Sequence, residues 1–154
     1  MIKSIARHQE GATLIEVLIA IVVLSIGLLG LAGLQVTSVQ SNHSAYQRSQ
    51  ATLLAYDLAD RMRANRTEAL TNAYVIATFP TSSSSNAVTG TQAAKDKAEW
   101  LNNLARSLPN GTGRVQKTGN LVTIEVRWND NRGRIAKSDA AADADTTFTY
   151  RTEI

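Results

Sequence analysis

Eighteen consecutive residues, Val17 to Leu34, contain no charge, and Ser25 is their only hydroxyl; a single carboxylate, Glu16, stands immediately before them. An uncharged run of this length is long enough to cross a bilayer as a helix. From Ala12 to Leu34 it would cover roughly 34 Å at about 1.5 Å per residue, against a hydrocarbon core of about 30 Å. A carboxylate at the end of such a segment is tolerated less readily than an apolar residue and calls for a partner. The chain is therefore expected to be a membrane-anchored helix carrying a soluble domain.

Residues 1–11 carry Lys3, Arg7 and His8. Positive charge before an apolar segment holds that end in the cytoplasm. Two readings of this start compete. An ordinary secretory signal would be cut after the apolar region, and Gly30-Leu31-Ala32 fits such a site loosely, but the run is longer than a usual signal core and begins with a glutamate. The spacing Thr13-x-x-Glu16 also fits a capping box, in which the glutamate serves the helix start alone. Gly27, Gly30 and Gly33 recur at three rather than four residues, so they make no small-residue dimer motif. They read as tolerated membrane glycines or as a soft spot in the helix.

After Gln35 the sequence turns polar without a helix breaker for some 30 residues. Val36, Val39, Tyr46, Leu53, Leu54, Leu58 and Met62 recur at three, four or seven, which predicts one apolar stripe facing a globular head. The helix is expected to end near Asn65. Asp57 with Arg61, and Asp60 with Arg63, have the spacing of helix ion pairs. His43 reads as a solvated side chain. Tyr74 to Phe79 is a possible short strand, and Thr81 to Gly90, with four serines in a row, a flexible polar loop. Thr91 to Leu108 predicts a second helix on Ala94, Ala98, Leu101 and Leu104, stopped by Pro109-Asn110-Gly111. A hairpin follows, turning around Lys117 to Asn120, with Val122, Ile124, Val126 and Trp128 on one face of its second strand. Thr146 to Ile154 predicts a last strand beside it. The fold class is α+β, one domain in size.

Gly11-Ala12-Thr13-Leu14-Ile15-Glu16 resembles the processing and assembly signature of type IV prepilins and type II secretion pseudopilins. Leu58-Ala59-Asp60-Arg61-Met62-Arg63-Ala64-Asn65 resembles the end of the helical stem in minor pilins of the PilV type. The resemblance implies a pilin-like fold: a leader at 1–11, a transmembrane and assembly half at 12–34, an amphipathic stem at 35–66 and a head at 67–154. It implies cleavage by a prepilin peptidase between Gly11 and Ala12, N-methylation of Ala12, and an assembly role for Glu16. It implies an inner-membrane protein with its head in the periplasm. That protein would enter a pilus with other minor pilins and the major pilin, initiating or capping it at the tip. A minor pseudopilin of a type II secretion system shares this N-terminal chemistry. A tip adhesin or DNA-binding module is a further alternative, with Arg132-Gly133-Arg134 as its only basic lead.

Nothing in the residues points to catalysis. There is no cysteine, and the two histidines lie in the leader and the stem. No glycine-rich phosphate loop follows a strand, so neither a cofactor nor a small-molecule substrate is expected. Asp139, Asp143 and Asp145 lack the order, glycine and closing glutamate of a calcium loop, so no metal is expected. Net charge is +3, and loss of Lys3, Arg7 and Glu10 with the leader would leave +2. That is too slight a bias for nucleic-acid binding.

Overall fold

The structure, a computed structural model, describes residues 13–131 and 145–154. Helix α1 runs Leu14–Ala64 and is followed by a single turn, α2, at Arg66–Leu70. Helix α3 spans Gln92–Ser107, and three strands follow, β1 Thr112–Thr118, β2 Leu121–Asn129 and β3 Asp145–Glu153. The chain divides into two compact units, residues 1–39 and 40–154.

In the first unit the helix is uninterrupted through Gly27, Gly30 and Gly33, and a Cβ at any of the three would meet nothing within 4 Å. Ser25 donates its hydroxyl to the Ile21 carbonyl at 2.7 Å, and Thr37 donates to the Gly33 carbonyl at 3.1 Å. The hydroxyls are thus satisfied by the helix backbone and ask nothing of the surroundings. Every large apolar side chain from Leu14 to Leu34 is exposed. Such a surface is stable only in lipid or against other apolar surfaces.

The second unit is an α+β arrangement with an antiparallel sheet in the order β1-β2-β3. The alternation expected of β2 is present: Val122, Ile124, Val126 and Trp128 are buried, and the residues between them are not. β1 runs on to Thr118, so the hairpin turns on two residues, Gly119 and Asn120, with Gly119 at φ 61. Phe148 and Tyr150 of β3 pack against the core as expected. The segment around Tyr74 forms no strand, only one isolated bridge between Ile76 and Val115. α3 has Thr91 as its N-cap, accepting from the Ala94 N–H, and its chain direction changes at Asn110, which sits at φ 52.

Two expectations need correction. The stem does not offer its large apolar residues to the head as one stripe. Leu58 and Met62 are buried, but Tyr46 and Leu53 are each 60% exposed. Met62 lies nine residues beyond Leu53, about half a turn round the helix, so the list mixed two faces. The head instead covers Gln47, Ala51, Ala55, Leu58, Ala59 and Met62. Three of these six are alanines, so the covered face is not the bulkiest one. The serine-rich loop is also better held than its composition suggests. Asn86 donates its backbone N–H and its side-chain amide to Asn102 Oδ1, and Asn102 donates back to the Asn86 carbonyl.

The block Asp57 to Arg66 ties the end of α1 to the rest of this unit. Arg61 pairs with Asp57 at 3.0 Å as its spacing predicts, and reaches Glu99 at 2.7 Å and the buried Asp96 at 3.3 Å on α3. Arg63 pairs with Asp60 at 2.7 Å and donates to Thr152 of β3. Asp96 also accepts from the Tyr74 hydroxyl at 2.5 Å and from Gln92. Burial first, and then the bond to the Asp96 carboxylate, push the Tyr74 phenol up from 10.0 to about 12. Its neutral form is thus favoured by folding. This contribution is intact below pH 10 and is lost as pH rises toward 12, because the unfolded chain releases the proton first. Alkaline titration of stability is expected to steepen between pH 10 and 12, and Tyr74→Phe to remove that part of the slope. An identical slope in Tyr74→Phe refutes this assignment.

Candidate functional site

The site expected from the sequence is the start of α1. Gly11 and Ala12 lie outside the described residues, as do Arg132, Gly133, Arg134, Lys137, Asp139 and Asp143. Thr13 accepts from the Glu16 N–H twice, at its carbonyl (3.0 Å) and at its hydroxyl (3.3 Å), and its carbonyl also receives the Val17 N–H at 3.2 Å. Half of a capping box is therefore formed, the half that uses the Thr13 side chain. The Glu16 carboxylate makes no hydrogen bond or ion pair among the described residues, and Glu16 is exposed. The helix start is satisfied without it.

Glu16 thus adjoins a cylinder of exposed apolar side chains, with Leu14 90%, Ile15 66% and Val17 47% exposed around it. One helix, Leu14–Ala64, contains a stretch long and apolar enough to cross a membrane. A carboxylate placed there, with no internal partner, is available to a cation brought by another molecule. In the second unit, the paired acids Asp57 and Asp60 are held by arginines and form no open acid–base couple. His43 is exposed, and its Nε2 lies 2.9 Å from Gln47 Nε2. Among the described residues no three His, Asp or Glu side chains converge as a metal site.

Sequence reasoning missed Asp96, Tyr74 and Asp130, all buried. Asp96 shares its helix face with the buried Ala93 and Trp100, and its three donors explain it: Gln92 one turn back, and Arg61 and Tyr74 distant in sequence. Asp130 accepts from the Ser44 hydroxyl at 2.7 Å, a pairing across 86 positions with no local signal.

Two family models match the chain. The prokaryotic N-terminal methylation motif matches residues 6–32, and the family described as type IV pilin Tt1218 matches residues 33–101. Neither the curated proteins nor the solved structures compared with the chain gave a match. Over residues 33–101 the chain is thus similar to a type IV pilin family, and its long apolar N-terminal helix leading to a small antiparallel sheet is a type IV pilin-like α+β fold.

Proposed function

We propose that the chain is a minor pilin of the PilV type, which initiates or caps a type IV pilus together with other minor pilins and the major pilin. A prepilin peptidase cuts between Gly11 and Ala12 on the cytoplasmic side, and the new α-amine of Ala12 is methylated. The helix waits in the inner membrane with the head in the periplasm, then passes into the filament, where this chain sits at the tip. The observation that carries the reading is the exposed, internally unpartnered Glu16 at the head of an apolar helix. An α-amine is mostly cationic at neutral pH, and methylation keeps that charge. The amine of one subunit and Glu16 of the next can then pair in an apolar surround, where charges act more strongly on one another than in water. Since an unpaired buried charge is heavily penalised, the pairing selects one axial register.

N-terminal sequencing of the protein purified from membranes tests this directly. It is expected to begin at a methylated Ala12. A start at Met1, or beyond Ala32, overturns the reading, because no amine would then stand beside Glu16.

A further inference from the structure

A groove of about 620 Å³ opens within the second unit. His43, Tyr46 and Gln47 of α1 form one wall, the end of α3 and its following turn (Arg106 to Asn110) a second, and the end of β2 at Asn129 a third. The walls are braced against one another. Ser44 of α1 donates to Asp130 at 2.7 Å, and the Asn129 N–H donates to the Pro109 carbonyl at 2.9 Å. A preformed groove asks little reorganisation of a ligand.

Its chemistry is selective. Among the described residues that line it there is no carboxylate. It offers planar amides and a guanidinium instead. Arg106 spends one N–H on the Ser84 carbonyl and keeps others free of that bond. Gln47, 2% exposed, is positioned by its contact with His43. The Asn110 amide and the Tyr46 hydroxyl have no partner among the described residues, and the Tyr46 ring is largely exposed at the lip. Asn110 cannot easily move. It holds a left-handed φ of 52, and a Cβ on the next residue, Gly111, would lie 2.2 Å from the Leu104 carbonyl oxygen. Asparagine accepts that backbone conformation where most residues do not. Beside this amide lies the half-buried Pro109.

We propose that the groove binds an N-acetylated saccharide. The acetamido group pairs with the Asn110 amide and sets its methyl on Pro109. The sugar's C–H face stacks on the Tyr46 ring, and Arg106 donates to sugar hydroxyl oxygens or to a sugar carboxylate. Two sources share this chemistry: the glycan of the cell wall, whose muramic acid carries a carboxylate, and neutral acetamido glycans of another cell's surface.

The test is calorimetric titration of the full mature chain, held in a detergent without a sugar headgroup, with chitotriose. Saturable binding is expected, with affinity falling by about tenfold or more for cellotriose, which lacks only the acetamido groups, and in Tyr46→Ala and Asn110→Gly. Glycine keeps the positive φ at position 110, so Asn110→Gly removes the amide while sparing the turn. Tighter, salt-sensitive binding of a muramic-acid-containing strand, lost in Arg106→Gln, assigns the wall as the source; no gain over chitotriose assigns the neutral glycan. Absence of saturable binding, equal affinity for cellotriose, or unchanged affinity in both variants overturns the proposal. A chain that binds no saccharide yet still appears in sheared pili leaves the pilin reading standing.

Discussion

Glu16→Val is expected to reach the membrane at the wild-type level and to vanish from the sheared pilus fraction. Valine is a better membrane residue than glutamate, so insertion loses nothing. The helix start is also spared. The bonds that Thr13 receives come from the backbone N–H groups of residues 16 and 17, and valine keeps both. What the substitution removes is the carboxylate alone. On the proposed pairing, the amine of the neighbouring subunit is then buried with nothing opposite it. Removing one partner of a buried pair costs about 3–5 kcal/mol. At about 1.4 kcal/mol per factor of ten, incorporation falls by roughly a hundredfold or more. Glu16→Gln, which keeps the shape and loses the charge, should fail similarly, whereas Glu16→Asp should retain a fraction of the activity. Immunoblots of sheared and membrane fractions read all three. Wild-type recovery of Glu16→Val in the sheared fraction would remove the electrostatic basis of the assembly proposal.

How much of this was legible in the sequence depends on whether a signal is local. Glu16 was legible because a lone charge against eighteen uncharged residues stands out without any structure. The β2 face was legible because alternation is a property of neighbouring residues, and the pairs Asp57–Arg61 and Asp60–Arg63 because helical spacing brings them together. The buried face of α1 was not. Bulk was used to find it, yet the head covers Ala51, Ala55 and Ala59 and leaves Leu53 outside. Hydropathy also gives the wrong sign for Asp96, whose burial is stabilised by Tyr74, Arg61 and Gln92. The groove had no signature at all, since α1, the turn after α3 and the end of β2 meet only in the fold.

Trp100→Ala is expected to cost the head about 3–5 kcal/mol, a large share of the roughly 5–15 kcal/mol that holds a typical domain together. The indole is fully buried in the core, and its N–H donates to the Leu54 carbonyl at 2.9 Å, so both area and a bond are lost. The same ring explains why β1 has glycine at 113. A Cβ there would lie 2.2 Å from Trp100 Cη2 and 2.7 Å from Cζ3, with Leu104 Cδ1 at 2.9 Å. Leu104 can rotate away, but a packed indole cannot, so Gly113→Ala alone should cost about 1–3 kcal/mol through overpacking. The two effects share one volume and must not add. Once Trp100 is alanine, the methyl at 113 enters space already vacated. The double variant should then be no less stable than Trp100→Ala, giving a coupling of the order of the whole Gly113→Ala cost. Urea unfolding of the full chain in detergent, followed by the fluorescence of Trp128, measures the cycle; where both tryptophans remain, circular dichroism supplies the same midpoints. Additive costs would mean that the indole yields to the added methyl, and that glycine at 113 serves the strand's backbone instead of the ring that lies across it.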